Sequence, residues 1–420
     1  MSRSVRVHRY CKCEPSAKDI YARSAVEIRI DSVAVGGDGL GRAGDGRVVL
    51  VPGALPGELI RVQITEERRS MLRGEVAEVL EPSPDRQQPW CPHVLEGCGG
   101  CGWQHVRPDR QGVLKRSIVI DALRRTAKLD RSEAERVVRL GPPLPDRGYR
   151  TTARGAVGPD GHLGMRAYHS DVVVPIATCG VLDPALDAAM WSVTVPAGVA
   201  EVEVRIGLAS GDRSIRLLGG GPGEVPRAEP SSMVRETVAG VTFQISSGSF
   251  FQTSVIGAEA LVKIVDDAVG PAEGGQRLID LYGGVGLFAA TVGRRFDSVT
   301  VVELAKSSCR DARANLVRHP KAQVVESDVA RWRPARVSGP APVVIADPAR
   351  RGLDRVGVAT VTACRPNRIV LVSCDVGAFA RDVRLLLDAN YSLVDATCLD
   401  LFPNTPLVEV ISTFEPAERR

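Results

Sequence analysis

From about residue 246 onward the chain repeats one pattern. An apolar run of strand length is followed by a stretch with helical periodicity. Runs such as RLIDLYGG, SVTVVEL, PVVIADPA and RIVLVSC show no polar alternation. A strand that is apolar on both faces must be covered on both, and intervening helices make the crossovers that parallel pairing needs. A parallel sheet wrapped by helices is therefore expected here. The last patterns, LVDATCLDLF and VEVISTFEP, have no helix between them and predict an antiparallel finish.

The preceding residues follow different rules. Between Ala25 and about Glu81, five short strand patterns are separated by Gly/Pro turns, among them VEIRIDSVAV, RVVLVPGAL and GELIRVQITEE. No helix-length pattern interrupts them, which predicts a small OB-like β-barrel of the kind that binds single-stranded nucleic acid on one face. Pro82, Pro84 and Pro89 mark a boundary. Beyond it a helical piece, RQGVLKRSIVIDALRRTAKL, is mixed with strand patterns, an α+β arrangement. The expected division is a basic arm over 1–23, a barrel over 24–83, a central α+β domain over 84–245 and the α/β domain over 246–420.

The net charge of +4 is mild, but residues 101–154 hold thirteen Lys/Arg against six acids, a stretch able to hold phosphates or simply to face water. No run approaches the length of a membrane span, and the basic N-terminal residues lack an apolar signal core. A cytoplasmic protein is expected, and its ten cysteines are then read for chemistry rather than as disulfides.

Within the α/β domain, LIDLYGGVGLF (278–288) is a strand, a glycine-rich turn and a helix start. Nineteen residues after Gly284, Glu303 ends a strand, where its carboxylate can accept from a ribose diol. NAD and S-adenosylmethionine both suit that arrangement. The G-x-G-x-x-G spacing of dinucleotide sites is missing, and acids accumulate at strand ends: Asp280, Asp328 and Asp347. A cationic sulfonium with an amino group fits such a rim better than a pyrophosphate does. S-adenosylmethionine is the expected cofactor.

Three thiols, Cys91, Cys98 and Cys101, stand in a C-x6-C-x2-C spacing among glycines, and Cys179 follows in the same region. Four such thiolates can hold Zn²⁺ or a 4Fe–4S cluster, and spacing does not separate the two.

Cys374 ends the run RIVLVS, where an α/β sheet meets its ligands. Glu409 opens the last strand and should reach the same side of the sheet. A thiol that adds to C6 of a pyrimidine makes C5 nucleophilic toward a methyl sulfonium, and a base must then take the C5 proton. Cys374 and Glu409, beside a methyl donor, supply that pair.

In order, FFQTS, DLYGGVGLF, VVEL, ADPARRG, LVSCDVGAFARD and LFPNTPLVE resemble the motifs of RNA uracil-C5 (5-methyluridine) methyltransferases. CPHVLEGCGGC with Cys179 resembles the iron–sulfur motif of the subgroup that carries a 4Fe–4S cluster, and the barrel resembles its TRAM domain. The resemblance implies a class I (Rossmann-like) methyltransferase domain behind an OB-like barrel and a central α+β domain. It implies Cys374 as nucleophile and Glu409 as base. Gln252, Tyr282, Glu303, Asp328 and Asp347 would hold S-adenosylmethionine, and Cys91, Cys98, Cys101 and Cys179 a 4Fe–4S cluster. The partner would be RNA, ribosomal rather than transfer RNA, and the enzyme a monomer with no membrane contact. The family usually reads S-C-N-P where this chain has Ser373-Cys374-Asp375-Val376, which places an acid next to the thiol. Two alternatives are a cytosine-C5 enzyme and an RNA-binding protein without catalysis.

Overall fold

The computed structural model describes residues 25–219, 227–228, 233–335 and 339–417. The expected arm over 1–23, with Cys11 and Cys13, lies outside them. Strands β1 (Ala25–Val33), β2 (Gly39–Arg42), β3 (Val48–Val51), β4 (Leu59–Glu67) and β5 (Met71–Glu81) close a barrel in the order β1-β2-β3-β5-β4. Alternation does the sorting: Ile28, Ile30, Val49, Val51, Ile60 and Val62 fill the interior, and the intervening polar residues face out.

Next come α1 (Pro92–Leu95), α2 (Pro108–Ala122), a π-helical turn over Leu123–Ala127, α3 (Arg131–Val137) and β6 (Val138–Leu140). Strands β7 (Thr152–Val157), β8 (Leu163–Arg166) and β9 (Val173–Pro175), helix α4 (Pro184–Trp191), and β10 (Val199–Ile206), β11 (Arg213–Gly219) and β12 (Arg227–Ala228) follow. The six strands form one antiparallel sheet, β12-β11-β10-β7-β8-β9. Leu186 and Met190 of α4 pack on Ala153, Val202 and Val204 of that sheet.

A hairpin, β13 (Met233–Val238) and β14 (Val241–Ser246), leads to α5 (Val255–Val269). The remainder is β15 (Arg277–Leu281), α6 (Leu287–Thr291), β16 (Ser298–Glu303), α7 (Lys306–Asn315), β17 (Ala322–Glu326), β18 (Val343–Ala346), α8 (Asp354–Ala363), β19 (Arg368–Ser373), α9 (Val376–Asp388), β20 (Tyr391–Leu399) and β21 (Glu409–Pro416). The sheet order is β17-β16-β15-β18-β19-β21-β20-β6. Pairing is parallel from β17 to β19, and β21 runs antiparallel to both β19 and β20. Both faces are covered, as the unalternated runs require. In β19, Ile369 and Leu371 pack under α9 with Phe379 and Val383. Val370 and Val372 pack under α5 with Leu261 and Val265.

The last barrel strand ends at Glu81, and parts of the region from 84 to 245 pack on the C-terminal sheet. Strand β6 pairs in parallel with β20 and so extends the C-terminal sheet. Helix α2 contributes Ile118 and Val119 to the same core as α9. Hairpin β13–β14 sends Val238, Phe243 and Ile245 into the core shared with α5. An apolar helix face does not reveal from sequence which sheet it will cover, and here both ends of the central region fold onto the C-terminal sheet. Among the described residues, no helix is long and apolar enough to cross a membrane.

Candidate active site

The glycine-rich turn after β15 is built from unusual backbone. Tyr282 has φ 59°, Gly284 φ 55° and Gly286 φ 87°. A non-glycine residue in the left-handed region is strained, and such positions gather at ligand sites. Gly283 is needed for a different reason: a Cβ there would lie 2.7 Å from Val301 Cγ1 and 3.1 Å from the Asp280 carboxylate. Glu303, at the end of β16, closes the turn by accepting from Gly284 N (3.0 Å) and Ala305 N (2.7 Å). Asp280 is fully buried. One carboxylate oxygen accepts from Ala289 N (3.1 Å), and the other has no partner among the described residues. Burial is the main force lifting Asp280 to about 8; Asp347 and Glu303 add to it, and the Ala289 N–H opposes it. Asp328 follows β17, half-buried, and accepts from Ala330 N (2.9 Å). Gln252 lies half-buried in the segment leading to Ser254, whose hydroxyl caps α5 at Gly257 N (3.1 Å).

Cys374 lies one residue beyond β19, and Glu409 is the first residue of β21. Ser373 is opposite Val410 in the antiparallel register, so the next pair along is Cys374 with Glu409. Asp347 follows β18, the neighbour of β19 on its other side. The three strand ends bring a thiol and two carboxyl groups together. Glu409 is 4% exposed, and one of its carboxylate oxygens has no partner among the described residues. Burial, and then repulsion from Asp347, raise Glu409 well above the carboxylate range. Asp347 is lifted to about 7 by desolvation. Burial pushes Cys374 to about 11, assisted by Glu409 and Asp347 and opposed by the Arg350 cation. The resting thiol therefore keeps its proton at neutral pH.

The acid next to the thiol acts elsewhere. Asp375 is the N-cap of α9 and accepts from Ala378 N (2.7 Å). It is not among the main charges that act on Cys374.

The TRAM domain family matches residues 20–77. Over 94% of its length, this chain is 32% identical to a 23S rRNA (uracil(1939)-C(5))-methyltransferase of Alkalilimnicola ehrlichii, 97% of which is covered. The chain belongs to the RNA uracil-C5 methyltransferase family. It is also 32% identical to an RNA methyltransferase of Streptomyces coelicolor described as uncharacterized, over 94% of this chain and 93% of that one. In a structural comparison, the Pyrococcus abyssi tRNA (uracil-54, C5)-methyltransferase in complex with S-adenosyl-L-homocysteine superimposes with a TM-score of 0.70. It is 23% identical and covers 93% of this chain and 100% of its own, a likeness of fold.

In this methyltransferase the four cysteines of the central region converge. Burial raises Cys98 and Cys179 and lifts Cys101 to about 12; charge on the neighbouring thiols adds in each case. Yet among the described residues no group of three or more Cys, His, Asp or Glu side chains is placed to hold a metal ion.

The basic segment also differs from its sequence reading. Eight of its thirteen cations are ion-paired, among them Arg110 with Asp85, Lys115 with Asp400, Arg131 with Glu135 and Arg139 with Asp395. Arg147 lies 4.3 Å from the Trp90 ring centre. The segment is mostly neutralised structure rather than a free basic face. Sequence reasoning missed the position of Arg350 within reach of the thiol, because one arginine among many carries no signal.

Proposed function

We propose that this methyltransferase moves the methyl group of S-adenosylmethionine to C5 of a uridine in RNA, with Cys374 as nucleophile and Glu409 as base. The observation that carries the reading is the register of β19 and β21, which sets Cys374 across from Glu409 beside Asp347. The Cys374 thiol loses its proton to solvent as Sγ bonds to C6 of the ring, the C5=C6 pair shifts into C4–C5 and the carbonyl pair moves onto O4. S-adenosylmethionine supplies the methyl group that C5 acquires. Glu409 then removes the C5 proton, the double bond re-forms and Sγ is expelled. Burial and the neighbouring Asp347 raise the proton affinity of the Glu409 carboxyl, which makes its ionised form a stronger base toward the C5 proton.

The donor site has the groups that S-adenosylmethionine requires. Asp280 has a buried oxygen with no partner, the glycine turn has no room for a Cβ at Gly283, and acids ring the strand ends. Gln252, Tyr282, Glu303, Asp328 and Asp347 would hold the cofactor. A cytosine enzyme would use a second thiol after β18, where this chain has Asp347-Pro348-Ala349-Arg350. The ribosomal RNA relative at 32% identity favours ribosomal over transfer RNA as substrate. Cys91, Cys98, Cys101 and Cys179 are proposed to hold a 4Fe–4S cluster. A cluster takes one thiolate at each iron and so accepts sulfurs standing wider apart than one ion allows.

The test is to incubate RNA and S-adenosylmethionine with the Glu409→Gln variant. A covalent protein–RNA adduct should accumulate on a denaturing gel, and Cys374→Ala should give neither adduct nor product. Methylation retained by Cys374→Ala would overturn the assignment.

A further inference from the structure

A cleft of about 310 Å³ opens between the central sheet and the segment leading into α5. Four arginines line it, Arg150, Arg154, Arg205 and Arg216, together with the carboxylate of Glu203. Glu203 pairs with Arg154 (2.7 Å) and Arg216 (2.8 Å), and Arg154 also reaches Glu201 (3.5 Å). Arg150 and Arg205 have no ion pair among the described residues. Arg205 is 8% exposed. Its Nε donates to Thr152 Oγ1 (3.3 Å) and its Nη2 to Ser249 O (3.0 Å), both neutral acceptors. Its Nη1 is buried without a partner, as is the Nε of Arg150.

A guanidinium does not shed its proton on burial, so two of them in one cleft call for an anion. Their flat donor forks match the oxygens of a phosphate. The cleft also lies beside the segment that carries Gln252, one of the residues proposed to hold the cofactor. Thr151 N donates to Thr253 O (2.8 Å), next to Gln252, and Ile206 N donates to Thr151 O (3.0 Å). Phe250 stands 66% exposed at its rim, so the cleft is open to a large ligand. We propose that Arg150 and Arg205 form a subsite for one phosphodiester of the RNA, close to the nucleotide being methylated. The inference rests on RNA being the substrate, but not on the chemistry assigned to Cys374.

The test is the salt dependence of binding to a single-stranded, uridine-containing RNA oligonucleotide. Arg150 is only half-buried, so Arg150→Gln should fold, with Arg150→Lys as the charge-preserving variant. For Arg150→Gln the slope of log affinity against log salt should drop by about 0.7–0.9, which is roughly five- to eightfold weaker binding at about 0.1 M salt. Arg150→Lys should restore the slope. Arg139→Gln, which removes a cation already paired at the β6–β20 edge, should leave it unchanged. S-adenosylhomocysteine affinity, measured in parallel, should not move. An unchanged slope in Arg150→Gln would overturn the subsite. So would a loss of S-adenosylhomocysteine affinity at constant RNA slope, which would give the cleft to the cofactor carboxylate. Binding is read without turnover, so an enzyme that binds but does not methylate would refute the proposed reaction and leave the subsite standing.

Discussion

Cys374 sits among groups that oppose its ionisation: a buried environment, Glu409 and Asp347, with Arg350 and a backbone N–H pulling the other way. Its reactivity is therefore an independent probe of the pairing. Alkylation of Cys374, followed by peptide mass spectrometry without RNA, should rise with pH toward a midpoint near 11. Glu409→Gln removes a negative neighbour, so the midpoint should shift lower; Arg350→Gln should shift it higher. An unchanged profile in Glu409→Gln would mean that the carboxyl and the thiol do not meet. Cys374 and Glu409 could be singled out in the sequence because strand ends announce themselves as breaks in apolar runs. The part taken by Asp375 could not. An acid between a strand and a helix reads equally as a neighbour of the thiol or as a helix cap, and only the bond to Ala378 N decides for the cap.

At the scale of elements, α2 joins the central region to the catalytic sheet through a buried ion pair. Lys115 is fully buried and bonds to Asp400, just past β20, and to the Phe402 carbonyl (3.1 Å). Lys115→Ala strands the Asp400 carboxylate, and should cost about 3–5 kcal/mol, read from denaturant midpoints. A loss below 1 kcal/mol would show that water satisfies Asp400. The helix itself could be read from its periodicity; its partner could not, because a lysine within an apolar stripe gives no sign that it will be buried. The segment carrying Cys91, Cys98 and Cys101 makes a separate claim. Purified protein should show broad visible absorbance, which Cys98→Ser should bleach. A colourless wild type that contains zinc would refute the cluster.

At the scale of the molecule, the barrel and the parallel sheet follow from pattern alone, since alternation and its absence dictate how many faces each strand buries. The placement of the barrel does not follow, because it depends on single contacts. Trp103 donates from Nε1 to Gly37 O (3.3 Å) and from its backbone N to Asn404 O (2.8 Å), linking the barrel to the loop before Glu409. All three parts thus converge on the end of the sheet where Cys374 and Glu409 meet. The most direct measurement is methyl transfer from labelled S-adenosylmethionine to ribosomal RNA, followed by nucleoside mass spectrometry. Labelled 5-methyluridine that disappears with Cys374→Ala is the predicted result. Labelled 5-methylcytidine, or no label from a protein that still binds RNA, would contradict it.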